Sequence, residues 1–303
     1  MVGGRMTGRI SLTALLIVLG AGWGLTQPLG KIAVDAGYLP FGLIFWQLLI
    51  GAVLTTAVLL VRRKPLPVHP RSVLFFAVIA LLGTLVPNTA SYRAAFFLPA
   101  GIMSIVIATI PMLAFPIALA LGTDWFSWRR MAGLSLGLVG VGCIAIPEAS
   151  LPDRAMIAVL PLALIAPLCY AMEGNVVAKW GTGGLDPVQL LCGASILGAI
   201  VALPLAVGTG QFIDPRPPYG VADLAFALSS VIHVIVYMTF VWLVGRAGAV
   251  FAGQVSYLVT GFGVIWAMVL LDERYSIWIW AALVVMLCGI ALVRPRQDDD
   301  SLM

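Results

Sequence analysis

The segment PFGLIFWQLLIGAVLTTAVLLV, residues 40–61, decides the class of fold. It is 22 residues long and contains no Asp, Glu, Lys or Arg. At a rise of about 1.5 Å per residue, a helix of this length crosses the roughly 30 Å hydrocarbon core of a bilayer. The segment therefore predicts a membrane-spanning helix.

Similar apolar segments occupy almost all of the 303 residues. Hydrophobic residues make up 61% of the chain and charged residues only 10%, a balance that one soluble core could not bury. We therefore predict an all-α integral membrane protein with ten transmembrane helices. The predicted spans are 10–34, 40–61, 71–93, 100–122, 129–147, 156–178, 187–208, 221–244, 248–271 and 276–293.

The Lys and Arg residues predict the orientation of these helices. With the N-terminus inside, 12 of the 17 Lys and Arg residues lie on the cytoplasmic side, as the positive-inside rule requires. We therefore expect both termini to be cytoplasmic, with RPRQDDDSLM at 294–303 as a short tail. The longest connection is the Pro-rich stretch at 208–220, so no extramembrane domain is expected.

Ten helices divide into two sets of five, and an odd number per set forces the sets into opposite orientations. Shifts of 147 and 145 residues align polar and aromatic positions in three pairs: Trp23 with Tyr170, Asn88 with His233, and Tyr92 with Tyr237. We predict a first five-helix repeat at 1–150 and a second, inverted repeat at 151–303.

Three stretches carry a resemblance to a known family: GAGWGLTQPLGK at 20–31, SYRAAFFLPAGIMSIVIATIPMLAFPIAL at 91–119, and LLDERYS at 270–276. Together with the ten helices, they resemble the drug/metabolite transporter superfamily, EamA branch, over nearly the whole chain. Within that branch the chain is similar to the bacterial exporters of amino acids, particularly aromatic ones. The resemblance implies a multi-pass secondary transporter of the bacterial inner membrane, with a central cavity between inverted halves.

Polar residues within the predicted spans are the candidates for contact with a solute. Such groups are costly in hydrocarbon, so they usually face the bundle interior or a water-filled space. Helical spacing places Trp23 and Gln27 on one face, and Tyr170 and Glu173 on another. The resemblance places helices one, three, four, six, eight and nine around the cavity. The predicted cavity residues are Trp23, Gln27, Asn88, Tyr92, Tyr170, Glu173, His233, Tyr237 and Gln254.

This set of side chains suits an amphipathic solute. Tyr and Trp offer flat apolar area with a polar group, and Gln and Asn can bond a carboxylate or an amine. An amino acid or a related metabolite fits this chemistry. Purely structural roles fit some of the same residues: Trp23 and Tyr170 could pack between helices, and Asn88, His233 and Gln254 could bridge helices by hydrogen bonds.

Glu173 raises a separate question, because an ionised carboxylate in hydrocarbon must face water, find a partner or carry a proton. Lys179 lies six residues further along the helix, or about 9 Å, which is too far for an i, i+4 pair. Two hypotheses remain. Glu173 couples protons to transport or binds a substrate amine, or it is a solvated carboxylate without a transport role.

Several sequence features argue against an enzyme. GLSLG at 133–137 fits the GxSxG pattern but lies in an apolar helix, where Gly133 and Gly137 favour close packing within the fold or between subunits. His69 and His233 are too far apart in sequence to suggest a metal site. The cysteines are isolated in apolar stretches and are predicted to be small buried hydrophobes: Cys143, Cys169, Cys192 and Cys288.

The sequence thus favours a non-enzymatic secondary transporter working by alternating access. We expect no catalytic residues, no metal and no cofactor, and the lack of a P-loop argues against ATP as the direct energy source. The expected partners are a small-molecule substrate and the lipid bilayer, without nucleic acid, and the chain would act as a monomer or homodimer. The alternatives are a membrane channel and, less favoured, an intramembrane enzyme.

Overall fold

The computed structural model describes residues 3–146, 151–247 and 255–292, which fold into ten helical segments joined by short connections. The segments are α1 Gly3–Asp35, α2 Pro40–Val61, α3 Pro70–Ala95, α4 Ala100–Leu121, α5 Trp128–Ala145, α6 Arg154–Trp180, α7 Pro187–Gly208, α8 Val221–Ala247, α9 Val255–Leu271 and α10 Ile277–Leu292.

Local sequence signals explain where several helices begin and end. Proline stands at the first helical position of α2, α3 and α7, where its missing N–H leaves no bond unmade. Asp186 and Gln189 form a capping box at the start of α7. Gly122 follows α4 with φ of 67°, a left-handed conformation that glycine adopts without strain.

Seven helices in the described part of the chain are long and apolar enough to cross a membrane, and three shorter apolar helices accompany them. The shorter ones are Met131–Ala145, Val255–Leu271 and Ile277–Gly289. All ten lie within a few residues of the predicted spans. The expected start of the ninth span at residue 248 lies outside the described residues.

Three of the segments are not uniform helices. In α3, a π-helical turn at Leu81–Leu85 separates Pro70–Ala80 from Val86–Ala95. In α4, Ala100–Ile107 and Ile110–Leu121 are separate helices. The first turns of α6, Arg154–Val159, are a 3₁₀ helix.

The helices of the two halves pack against each other rather than among themselves. From the second half, α8 and α9 pack against α1, and from the first half, α3 and α4 pack against α6. The helices α2 and α7 form one further pair, and α5 and α10 another. The pairs follow the internal repeat: if α1 to α5 are exchanged in order with α6 to α10, the same neighbouring pairs result. We call α1, α8 and α9 the first bundle, and α3, α4 and α6 the second bundle.

Small residues allow the close pairings. In the α2–α7 pair, a Cβ on Gly51 would lie 3.0 Å from Ser195 Oγ, and one on Gly198 would lie 2.9 Å from Leu48 Cδ1. These two contacts are related by the same shift of 147 residues that the sequence indicates. The α2–α7 pair therefore follows the internal repeat at the level of single contacts.

Two glycines of α5 allow close packing against other helices of the same chain. A Cβ on Gly137 would lie 2.0 Å from Met112 Sδ of α4, and one on Gly140 would lie 2.5 Å from Met286 Cγ of α10. Of the two predicted uses of these small residues, the structure shows packing within the fold.

The two ends of the bundle differ in character. We call one end the loop end, with the connections at 36–39, 96–99, 209–220 and 272–276, and the other the basic end, with 62–69, 122–127 and 181–186. At the loop end, Tyr38 Oη donates a 2.5 Å hydrogen bond to Asp223 Oδ1. At the basic end, Lys64 Nζ bonds Asp186 Oδ2 at 2.8 Å. The connection at 208–220 is not free, since Gln211 Oε1 accepts from the N–H of Phe41 at 3.0 Å.

One expectation about the cysteines is wrong. Cys169 and Cys192 are buried and Cys143 is half-buried, but Cys288 is exposed on α10. In a membrane protein, an apolar side chain reaches an apolar environment by facing lipid as well as by facing the core, so an apolar stretch does not predict burial within the protein.

Candidate functional site

Four polar side chains form a hydrogen-bonded group, which we call the amide–tyrosine cluster: Gln47, Asn88, Tyr92 and Tyr170. Asn88 Nδ2 and Tyr92 Oη both donate to Gln47 Oε1 at 3.0 Å. Tyr170 Oη donates to Asn88 Oδ1 at 3.2 Å. The cluster thus joins α2, α3 and α6, and its members satisfy one another.

An aromatic group lies on the first bundle, and we call it the aromatic cluster: Trp23, His233, Tyr237 and Phe240. The Trp23 ring centroid is 5.3 Å from Phe240, 6.3 Å from His233 and 6.5 Å from Tyr237. These are tilted and edge-on arrangements, which aromatic rings prefer to face-to-face stacking. The cluster joins α1 to α8.

Glu173 lies on α6, one turn after Tyr170 of the amide–tyrosine cluster. It is half-buried, and it interacts electrostatically with Tyr170 and with Tyr237 of the aromatic cluster. Across the helix interface it meets Gly83 in the π-turn of α3, where a Cβ would lie only 2.8 Å from Glu173 Oε1. Within the described part of the chain, Glu173 has no hydrogen-bond or ion-pair partner.

Four polar side chains of α1, α6 and α8 have open polar groups. Gln27, Glu173, His233 and Tyr237 are each half-buried and make no hydrogen bond to any described residue. None of their polar atoms is sealed from solvent. A half-buried polar atom without a protein partner needs water or a ligand, so this region can accommodate one.

Six of the predicted cavity residues belong to the two clusters: Trp23, Asn88, Tyr92, Tyr170, His233 and Tyr237. Glu173 interacts electrostatically with a tyrosine of each cluster. Gln27 is half-buried one turn beyond Trp23, and Thr26 beside it accepts a 3.4 Å bond from Ser229 at its carbonyl. Gln254 lies outside the described residues.

Gln47 is the residue that the sequence analysis missed. Its Oε1 accepts two hydrogen bonds, which makes it the centre of the amide–tyrosine cluster. The signal was present, since Gln47 is a polar residue in the middle of the apolar segment at 40–61. It has no polar neighbour at i, i+3 or i, i+4, so spacing along its own helix did not reveal it.

Other polar residues of α6 have structural partners. Asn175 is buried and donates to the carbonyls of Ala114 at 3.1 Å and Ala171 at 2.8 Å, so it links α6 to α4. Lys179 Nζ donates to the carbonyl of Leu121 at 2.8 Å at the basic end. Lys179 therefore is not the partner of Glu173, as the spacing predicts.

At the loop end, the start of α4 contacts helices of the first bundle. Ala100–Ile107, the first part of α4, packs against α9 and α1, whereas Ile110–Leu121 packs against α6, α5 and α10. Glu273, after α9, accepts from the N–H groups of Ala100 at 2.6 Å and Gly101 at 3.1 Å. Anionic acceptors are stabilising at a helix N-terminus.

Tyr275 completes this contact, which we call the Glu273 clamp: Glu273, Tyr275, Ala100 and Gly101. Tyr275 Oη donates to Glu273 and lies over Gly101, where a Cβ would lie 2.0 Å from the hydroxyl. Burial and the hydrogen bond to Glu273 raise the pKa of Tyr275. The clamp attaches the first bundle to the second at one end.

Comparisons with known proteins bear on the fold and the family. No protein with a curated description matches the chain. Among solved structures, 17 chains match. One, described only as "Crystal structure of protein", has a TM-score of 0.65 at 16% identity and covers 93% of this chain and 98% of its own. At that identity the likeness concerns the fold.

The family comparison is more specific. The model of the EamA-like transporter family matches the chain twice, over residues 11–146 and 157–294. The two matches divide the chain into two repeats, and each repeat supplies helices to both bundles. The chain therefore belongs to the EamA-like transporter family, a family of membrane transporters.

Proposed function

We propose that this protein is a secondary transporter that carries small organic solutes, amino acids and particularly aromatic ones, by alternating access. The observation that supports the proposal is a set of open polar groups contributed by both halves, and we propose that they line one central site. Gln27, Glu173, His233 and Tyr237 come from three helices, and none of their polar atoms has a partner among the described residues. Groups left in this state can bind a solute that has both polar and planar parts.

The packing supports alternating access. Each bundle combines helices of both repeats, so one bundle can rock against the other around a fixed central site. The Glu273 clamp holds the bundles together at the loop end. A state that opens this end would have to break the clamp and close the basic end.

We also propose ten membrane crossings with both termini in the cytoplasm and the second repeat inverted relative to the first. The basic end carries Arg62, Arg63, Lys64, Arg71 and Arg129, which is the charge excess expected at a cytoplasmic surface. We propose the bacterial inner membrane as its location. Cysteines introduced at Asp153 and Pro215 should then react with an impermeant thiol reagent added outside, and one introduced at Lys64 should not. The reverse pattern would overturn the orientation.

The function is tested by counterflow in proteoliposomes. Vesicles loaded with unlabelled phenylalanine should accumulate radiolabelled phenylalanine transiently, because exchange through a carrier needs no energy source. The flux should saturate with concentration. Flux that rises linearly without saturation would indicate a channel, and chemical conversion of the solute would indicate an enzyme.

A further inference from the structure

The seat of the Glu173 carboxylate is built by the backbone of α3. A Cβ on residue 83 would lie 2.8 Å from Oε1, 3.1 Å from Oε2 and 3.1 Å from Cδ of Glu173. Real Cβ contacts are almost never this short, so only glycine leaves room for the carboxylate at its present place. Gly83 therefore fixes how closely Glu173 approaches α3.

The π-turn at Leu81–Leu85 accounts for the shape of this seat. Pro87 has no N–H, so it cannot make the α-helical bond to the carbonyl of Gly83 four residues earlier. The turn is instead π-helical, with the N–H of Val86 bonded to the carbonyl of Leu81. Such turns are frequent at functional sites. Asn88 follows the end of the turn by three residues, so the seat adjoins the amide–tyrosine cluster.

No cationic side chain among the described residues reaches Glu173. Lys31 pairs with Asp35 at 2.5 Å, Lys179 bonds the carbonyl of Leu121, and Arg93 and Arg246 are exposed near helix ends. Glu173 lies one turn after Tyr170 on α6, and it interacts electrostatically with Tyr170 and Tyr237. A half-buried carboxylate without a cationic partner suits an ammonium ion, which has three donors and is also attracted to aromatic ring faces.

We propose that Glu173, seated against Gly83, is the subsite for the ammonium group of the transported solute. The apolar or planar part of the solute then lies towards the aromatic cluster, whose open groups are His233 and Tyr237. The chemical class is therefore amines and amino acids with a planar apolar part, and a solute that has a carboxylate but no amine is excluded. This inference rests on the proposed transport function and specifies which part of the solute is recognised.

Three related compounds test the inference as competitors of labelled phenylalanine exchange: phenylalanine, phenethylamine, which lacks the carboxylate, and 3-phenylpropionate, which lacks the amine. In the wild-type protein, phenethylamine should compete within about tenfold of phenylalanine, and 3-phenylpropionate should compete at least tenfold more weakly. Glu173→Gln keeps the shape of the side chain and removes its negative charge. This variant should therefore lose the preference for phenylalanine and phenethylamine over 3-phenylpropionate.

Gly83→Ala tests the seat itself. The added methyl displaces the carboxylate, so this variant should weaken competition by the two amines several-fold, with no further loss when combined with Glu173→Gln. The matched control is Gly174→Ala, since a Cβ on Gly174 of α6 meets nothing within 4 Å. It should behave like the wild type. Elution as a single species in size-exclusion chromatography establishes that each variant is folded.

Three kinds of outcome would each contradict a different statement. If 3-phenylpropionate competes as well as phenylalanine, or if Glu173→Gln leaves the order of the three compounds unchanged, the ammonium subsite is wrong while transport stands. If Gly83→Ala and Gly174→Ala are equivalent, the seat is wrong. If none of the three compounds binds or exchanges, the proposed function fails and the subsite fails with it.

Discussion

The amide–tyrosine cluster and the aromatic cluster occupy positions that are related by the internal repeat, but they differ in chemistry. Tyr170 corresponds to Trp23, and Asn88 and Tyr92 correspond to His233 and Tyr237. In the first cluster every member is bonded to another member. In the second, the rings touch but His233 and Tyr237 make no hydrogen bond to a described residue.

This difference indicates a division of roles at one site. A satisfied hydrogen-bond network holds its members in fixed positions, because each break would leave a buried group unpaired. Rings in tilted contact can shift without breaking directional bonds. The amide–tyrosine cluster is therefore expected to support stability, and the aromatic cluster to adapt to the solute.

The largest expected effect concerns the junction between the bundles that carry the two clusters. Glu273→Ala removes the acceptor of the Ala100 and Gly101 N–H groups, and a hydrogen bond to a charged group is worth about 1.5–3 kcal/mol. The loop end should open at least tenfold more often. In a cysteine-free background, Ser104→Cys should then react at least tenfold faster with an impermeant thiol reagent.

Asp272→Asn is the control for this prediction. Asp272 is the neighbouring acid and is almost fully exposed, with Arg274 at 3.9 Å. Asparagine tolerates its positive φ of 52°. Equal labelling of Ser104→Cys in the Glu273→Ala and Asp272→Asn backgrounds would show that the clamp does not hold the bundles together.

Corresponding positions in the two clusters can be compared directly with Asn88→Leu and His233→Leu. Asn88→Leu leaves the Tyr170 hydroxyl without its acceptor and should lower the free energy of unfolding by about 1–3 kcal/mol. His233→Leu breaks no hydrogen bond to a described residue, so it should change stability less but slow exchange. Thermal unfolding in detergent and counterflow measure the two properties. Equal stability losses would remove the proposed division of roles.

Tyr92 and Tyr237, which also occupy corresponding positions, allow the two clusters to be compared by removing a single hydroxyl group. Tyr92→Phe removes a hydroxyl that donates to Gln47 and should lower stability by about 0.5–1.5 kcal/mol. Tyr237→Phe removes a hydroxyl that is open, so stability should stay close to that of the wild type while solute affinity falls. Unfolding midpoints and competition assays on both variants check this. A stability loss confined to Tyr237→Phe would reverse the assignment.

The smallest effect is expected at a tyrosine outside the centre. The hydrogen bond from Tyr38 to Asp223 raises the pKa of Tyr38 from 10.0 to about 12. A raised pKa in the folded state means that the stabilisation is complete below about pH 10 and is lost as pH rises from about 10 to about 12. The difference in melting temperature between the wild type and Tyr38→Phe should shrink across this window. If the difference in melting temperature stays constant across this pH window, the hydrogen bond to Asp223 does not couple the ionisation of Tyr38 to stability.

The positions of the helices and most of the candidate site could be predicted from the sequence. Uninterrupted apolar segments mark the helices, and a polar residue inside one is rare enough to stand out, as for Asn88 and His233. Gln47 was overlooked because its partners, Asn88 and Tyr92, lie on another helix. Gly83 and Glu273 were overlooked for the same reason, since their contacts are with α6 and α4.

The sequence by itself determined the membrane class, the approximate spans, the internal repeat and the set of polar residues that need an aqueous or protein environment. The class, the spans and the polar residues follow from composition and from patterns within about 20 residues. The internal repeat follows from the shifts of 145 and 147 residues. Only the tertiary structure decided that α1 packs with α8 and α9, that α6 packs with α3 and α4, and that Glu173 meets the π-turn of α3. Helix pairing in lipid depends on the shapes of small residues and on single hydrogen bonds between distant segments, and a local pattern does not encode those pairings.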